Sequence, residues 1–178
     1  YAHLFLKLSE ENKDNSAYFY DLNAKFSYKL NDNNSLYLSG YFGRDVFGQD
    51  FGFNWGNSTL SGRWNHVFSD KLFLNTTAFY SNYDYSLDSD LKNKRPNNAF
   101  KWSSNITNLS IKPDFTYYIS PNNTLTFGGQ ILTYNFKPGS ATATSQGESR
   151  SFGQERKGGV ESSIYVGDEW KVSPKFSV

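Results

Sequence analysis

The clearest pattern in the chain is an alternation of apolar and polar residues over positions 17–30. Even positions carry Tyr, Leu, Ala or Phe, whereas odd positions include Asp21, Lys25 and Lys29. Because successive side chains of a strand point to opposite faces, this period predicts a strand with one apolar face. At about 3.3 Å per residue the segment spans about 45 Å, far beyond the usual strand of about five or six residues. A tilted strand that crosses a bilayer and projects beyond it needs that length.

Strands of the same kind are predicted along the rest of the chain. They cover residues 1–8, 17–30, 35–46, 53–68, 71–85, 102–119, 124–136 and 158–172, with the start of a ninth at 176–178. Pro113 has no amide N–H and would weaken a central pairing, so we expect a β-bulge there. The pattern predicts an all-β fold: an antiparallel transmembrane β-barrel segment of about eight strands plus the start of a ninth.

The connections between the predicted strands alternate in length. Those after positions 30, 68, 119 and 172 have about two to four residues, whereas the others are longer, on the order of eight to twenty residues. Outer-membrane barrels have short periplasmic turns and longer extracellular loops. We therefore expect the turns that begin at Asn31, Ser69, Ser120 and Ser173 to face the periplasm. The Gly-, Ser- and Thr-rich segment 137–157 is predicted to be an exterior loop.

The composition supports this assignment. Aromatic residues make up 19% of the chain and Met is absent, a bias that favours strands over helices. The mean hydropathy is −0.66, and no run of eighteen apolar residues exists, which excludes a membrane helix. Barrel strands alternate lipid-facing and lumen-facing residues, so their average composition is hydrophilic. The net charge of +1 without a basic stripe gives no indication of nucleic-acid binding.

One face of the predicted strands is apolar enough to contact lipid. The residues expected there are Tyr18, Tyr20, Leu22, Phe26, Leu36, Leu38, Leu72, Leu74, Ile111, Phe115, Phe127 and Ile131. Tyrosines toward the strand ends are expected to form interfacial girdles, namely Tyr18, Tyr20, Tyr28, Tyr80 and Tyr117. Charged side chains such as Lys25, Arg63 and Glu161 lie at the alternate positions, so they must face a wet lumen, a plug or solvent.

Candidate chemistry is sparse. Trp55, Tyr83, Tyr85 and Trp102 lie near the ends with longer connections, and could stack on a carbohydrate or another ligand. The two histidines have no metal-ligating partners nearby, and Cys is absent. No grouping of acid, base and nucleophile is visible. We therefore expect no catalytic residues, no metal site and no cofactor, and hence no enzyme.

Two segments, 54–75 (NWGNSTLSGRWNHVFSDKLFLN) and 167–178 (GDEWKVSPKFSV), resemble barrel strands of TonB-dependent outer-membrane receptors, most closely the SusC-like branch of Bacteroidetes. The resemblance implies a bacterial outer-membrane location and a 22-stranded barrel of which residues 1–178 are a part. It also implies a plug domain, which this chain does not include. Import of a nutrient, whether a glycan, a peptide or a metal chelate, would then depend on TonB. Outer-membrane lipid, the rest of the barrel and a SusD-like surface lipoprotein would be its partners.

Two other assignments remain open at this point. A small eight-stranded outer-membrane protein with a structural or adhesive role would fit the strand count. A secreted β-sandwich that binds glycans through Trp and Tyr would fit the aromatic content, although the length of the strand over 17–30 argues against it.

Overall fold

The computed structural model describes residues 16–48, 52–89, 98–146 and 148–178. These residues form nine strands and no helix that is long and apolar enough to span a membrane. The strands are β1 (Ser16–Asn31), β2 (Asn34–Gly48), β3 (Gly52–Val67), β4 (Leu72–Asp88), β5 (Asn98–Ser120), β6 (Asn123–Ser145), β7 (Glu148–Gly153), β8 (Lys157–Ser173) and β9 (Phe176–Ser177).

All described strands belong to one antiparallel meander. The order is β1-β2-β3-β4-β5-β6-β8-β9, and β7 pairs with the far end of β6. β1 at one edge does not pair with β8 or β9 at the other, so the sheet is open. Seven of the described strands have fifteen to twenty-three residues, which confirms the long strands predicted from the alternation. The predicted strand over 1–8 lies outside the described residues.

Side chains close the short turns. At the β1–β2 turn, Oδ1 of Asn31 accepts hydrogen bonds from the backbone N–H of Asn33 (3.0 Å) and from Nδ2 of Asn34 (2.9 Å). Nζ of Lys29 donates to Asp32 at 2.6 Å, and this hydrogen bond and the lysine charge lower the pKa of the Asp32 carboxyl. Short polar side chains favour tight turns because they bond to the backbone two residues on. The predicted short turns are therefore confirmed at this end of the sheet.

The cross-strand register gives the sheet two faces of opposite character. Phe26 lies opposite Leu38, Leu38 opposite Gly62, and Ile111 opposite Ile131. We call this side the apolar face, and the opposite side the polar face. All twelve residues predicted to contact lipid lie on the apolar face. Eight of them are 39–67% exposed, and Leu74, which is 7% exposed, is the buried exception.

The predicted exterior loop over 137–157 is wrong for most of its length. β6 continues to Ser145, and β7 returns beside it with Ala143 opposite Arg150 and Ala141 opposite Phe152. β4 and β5 also extend beyond their predicted ends, to Asp88 and from Asn98. A strand that projects into water has two wet faces and therefore shows no apolar alternation, although its backbone can stay paired. β7 thus brings the described strands to nine.

The bulge expected at Pro113 is also wrong. The β5–β6 register runs from Ile111 opposite Ile131 to Asp114 opposite Gly128 without a shift. A Cβ at Gly128 would meet the carbonyl oxygen of Pro113, so the close approach of β5 and β6 at this point requires a glycine. The register shifts lie instead between Ser103 and Asn105 and between Tyr118 and Ser120.

Candidate functional site

A row of apolar side chains crosses the polar face at the end away from the short turns. Cross-strand pairing places its members side by side: Phe47, Phe53, Leu87, Trp102, Ala141 and Phe152. Elsewhere this face carries mainly hydroxyl, amide and charged groups. The backbone hydrogen bonds of the sheet do not require apolar side chains on a face that is otherwise polar. This row is therefore a candidate contact surface.

The four aromatic residues singled out from the sequence come together at this end. Trp55 lies directly opposite Tyr85, and Trp102 lies opposite Leu87. Tyr83 is two residues before Tyr85 on the same strand, so its side chain is on the same face. With Phe47, Phe53 and Leu87 added from the apolar row, we call this group the mouth cluster.

The rings of the mouth cluster are accessible. Trp55 is 36% exposed, Tyr83 42% and Trp102 38%. None of the ring–ring contacts between described residues joins two members of the cluster. Aromatic faces of this kind offer a large amphipathic surface at little cost in conformational entropy. The arrangement can thus bind a ligand with flat or apolar surfaces.

A β-bulge sets the position of Trp102. The register passes from Lys137 opposite Asn105 to Ser140 opposite Ser103, so β6 has one extra residue. Gly139 in this bulge has φ 154°, and a Cβ there would lie 2.8 Å from Cε2 of the Trp102 indole. Only glycine combines that backbone conformation with the close approach of the ring. The Pro-Gly dipeptide at 138–139 was the available sequence signal, but it lay inside the predicted loop.

Closer to the short turns, the polar face is lined by charges and hydroxyls. Nζ of Lys112 lies 3.2 Å from Asp114, and the Tyr165 hydroxyl donates to the same carboxylate at 2.5 Å. On the β1–β4 side, the Arg63 guanidinium lies 5.0 Å from the centre of the Tyr37 ring. Both groups border water-accessible surface, which is the lining expected of a wet lumen.

Tyrosines on the polar face lie over glycines of the same or the next strand. A Cβ at Gly159 would collide with the Tyr134 ring, and one at Gly128 would lie 3.0 Å from the Tyr165 ring. All four glycines at 128–129 and 158–159 are therefore strand residues, and Gly128 and Gly159 make room for aromatic side chains.

At the short-turn end, aromatic rings form a belt on the apolar face. The His66 ring lies between those of Trp64 (5.3 Å between centroids) and Phe68 (4.3 Å). Phe115 and Phe127 stack in parallel at 4.9 Å and continue the belt across β5 and β6. Nδ1 of His66 lies 2.7 Å from Oδ1 of Asn34, so the imidazole has a polar partner at the turn. Within the described ranges, no three His, Cys, Asp or Glu residues are grouped to hold a metal ion.

No protein-family model and no curated protein matches this sequence. Solved structures do match the fold. The copper transporter OprC aligns with 90% of this chain at 9% identity and a TM-score of 0.68, and the ferric yersiniabactin uptake receptor FyuA from Yersinia pestis aligns with 90% at 9% identity and 0.59. The translocator domain of the autotransporter NalP from Neisseria meningitidis aligns with 90% at 12% identity and 0.50.

The sheet has the fold of an outer-membrane β-barrel wall. The chain spans only part of each matched protein: 27% of OprC, 26% of FyuA and 56% of the NalP translocator domain. These structures are outer-membrane barrels, which supports the bacterial outer membrane as the location of this chain. At these identities the likeness concerns the fold, and ligands and partners do not follow from it.

Proposed function

We propose that this chain is part of the barrel of an outer-membrane transport protein of the TonB-dependent receptor type. The observation that carries the proposal is the match of 90% of the chain to about a quarter of OprC and FyuA, which are named as a transporter and an uptake receptor. The open edges of β1 and β9 leave room for further strands on both sides. The SusC-like branch, a plug, TonB and a SusD-like lipoprotein belong to the proposal through the sequence resemblance.

In this proposal the apolar face contacts lipid. Its apolar positions on β5 run from Leu109 to Tyr117, which is about 26 Å along the strand at about 3.3 Å per residue. A strand tilt of about 40° reduces this to about 20 Å of depth, close to the apolar band of about 25 Å in outer-membrane barrels. The polar face then lines the lumen.

The mouth cluster is proposed to contact the imported molecule where it enters the lumen. The cluster is on the lumen side and at the end away from the short turns, which face the periplasm in outer-membrane barrels. Its exposed rings suit a solute with apolar or flat surfaces, such as a sugar ring, a peptide or a metal chelate. Trp55 and Tyr85, paired directly across two strands, would provide the central contact.

Ligand binding and uptake by the full-length protein test both the receptor assignment and the role of the mouth cluster. Cells with the Trp55→Ala/Tyr85→Ala variant should show weaker ligand binding, by about tenfold for the loss of two stacking surfaces. Trp64→Ala/Phe68→Ala, which removes two rings from the apolar face, is the matched control and should leave binding unchanged. Uptake that persists without TonB and after an uncoupler would contradict the receptor assignment. Equal binding by the two double variants would contradict the site.

A second candidate is a barrel without a plug and without energy coupling, with a structural or adhesive role. The NalP translocator domain favours it, because this chain covers more than half of that barrel. The higher TM-scores of OprC and FyuA favour the receptor. The same uptake assay separates the two, because a barrel of the second kind would show no TonB-dependent accumulation of any solute.

A further inference from the structure

The apolar face changes character abruptly toward the long-connection end. One cross-strand row contains Leu60, Tyr80 and Leu109. The next two rows, read from β3 to β6, are polar apart from one glycine: Ser58, Asn82, Thr107 and Asn135, then Gly56, Asp84, Asn105 and Lys137. On the proposed orientation, these rows lie on the outer surface of the barrel just above the hydrocarbon, at the level of the lipid head groups.

Part of this polar surface is neutralised within the protein. The Arg44 guanidinium donates to both carboxylate oxygens of Asp84, at 3.0 and 2.8 Å, and to Oδ1 of Asn54 at 2.5 Å. Nδ2 of Asn105 donates to Oδ1 of Asn82 at 2.7 Å. These bonds hold the side chains of the β2–β5 section in place, and they pair the Arg44 cation with a carboxylate. This section therefore has little affinity for an external anion.

The β6 side of the same surface is different. Lys137 lies opposite Asn105 on the apolar face, and Arg156 lies beside it just before β8. Among the described residues, neither cation has an acidic partner within ion-pair distance. Together with Thr107 and Asn135 they line a shallow depression of about 320 Å³. The Thr107 hydroxyl donates to Oδ1 of Asn82 within the protein, which leaves the two cations and the Asn135 amide as donors. They form a suitable site for a phosphate group, which accepts several charge-assisted hydrogen bonds.

We propose that Lys137 and Arg156 form a binding site for the phosphate groups of a glycolipid in the outer leaflet of the membrane. The inference rests on the proposed function, because it needs the apolar face to contact lipid. Continuity of the surface favours a lipid over free phosphate. Ile131 lies four residues before Asn135 on the same face of β6, about 13 Å away along the strand. A phosphorylated lipid can therefore place its head group on the cations and its acyl chains on Ile131 and Leu109.

Native mass spectrometry of the full-length protein, titrated with diphosphoryl lipid A, tests this site. The Lys137→Gln/Arg156→Gln variant should lose affinity by about tenfold, as expected for the loss of two charge-assisted contacts. The control, Lys25→Gln/Arg63→Gln, removes the same charge from the polar face and should bind like the unmodified protein. Lipid A without its phosphates should bind equally weakly to all three proteins.

Two results would overturn the inference. An equal loss in the two double variants would show that binding depends on net charge rather than on this site. Full displacement of lipid A by millimolar inorganic phosphate would assign the site to a free anion. A separate measurement tests whether the apolar face contacts lipid at all: quenching of a single fluorescent reporter at position 111 by brominated acyl chains. It distinguishes failure of the head-group site from failure of the proposed function. If quenching persists and lipid A binding does not depend on the two cations, only the head-group site is refuted.

Discussion

A lysine placed at Ile111 should destabilise the protein far more than the same residue placed at Ser110 or Asn135. Ile111 is on the apolar face of β5 and is 48% exposed. On this face of β5, Leu109 is the last apolar residue toward the long-connection end, and Ile111 lies two residues closer to the middle of the apolar band. At about 3.3 Å per residue and a tilt of about 40°, it is about 5 Å below the boundary of the apolar band.

The depth of position 111 in the apolar band determines how much a lysine there lowers the free energy of unfolding. A lysine on the lipid face costs roughly 2–4 kcal/mol at the midplane and about 0–1 kcal/mol near the interface. Ile111→Lys should therefore lower the free energy of unfolding by about 2 kcal/mol through charge burial. Loss of the half-exposed isoleucine contributes about 1 kcal/mol more, which Ile111→Ala measures separately. Ser110→Lys on the polar face, and Asn135→Lys above the band, should each cost less than about 1 kcal/mol.

The assay is reversible urea unfolding of the full-length protein in phosphatidylcholine vesicles, followed by tryptophan fluorescence and by the mobility shift of folded barrels in unheated gels. An Ile111→Lys cost no larger than that of Ser110→Lys would refute the assignment of the two faces. A cost of Asn135→Lys equal to that of Ile111→Lys would refute the position of the boundary.

Three further predictions concern local contacts. Gly139→Ala should displace the Trp102 ring and shift its emission, measured with Trp102 as the sole tryptophan, whereas Gly158→Ala, whose Cβ has ordinary contacts, should not. Asp84→Asn should lower the free energy of unfolding by about 1 kcal/mol, because Arg44 loses a charged partner in a half-buried pair; an unchanged urea midpoint would contradict this. Gly128→Val should destabilise the barrel more than Gly62→Val, because its side chain would meet Pro113 and the Tyr165 ring; equal midpoints would argue against that packing.

Much of the sheet follows from the sequence because one face is apolar. Around Leu22, Leu38 and Leu74 the period of two identifies the strand, its face and its partners together, since a slip of one residue would exchange the faces. The short turns follow for a second reason, because side chains such as Asn31 and Ser69 bond to the backbone and stop the strand.

The sequence is uninformative where both faces are wet. Residues Ser140–Ser145 and Glu148–Gly153 pair through their backbones, but their Ser-, Thr- and Gly-rich composition has no apolar period and resembles a loop. The same limit hid part of the mouth cluster. Trp55, Tyr83, Tyr85 and Trp102 lie inside predicted strands, whereas Phe47 and Leu87 lie past the predicted ends of β2 and β4.

Site-directed spin labels on β2 test the central claim most directly. Labels placed one at a time from Leu36 to Phe42 in the full-length protein, reconstituted in lipid, report accessibility to oxygen and to a water-soluble nickel chelate. The account predicts a period of two, with oxygen accessibility highest at Leu36, Leu38, Gly40 and Phe42 and nickel accessibility highest at Tyr37, Ser39 and Tyr41. Nickel accessibility at Leu38 equal to that of its neighbours would contradict a lipid-facing barrel wall.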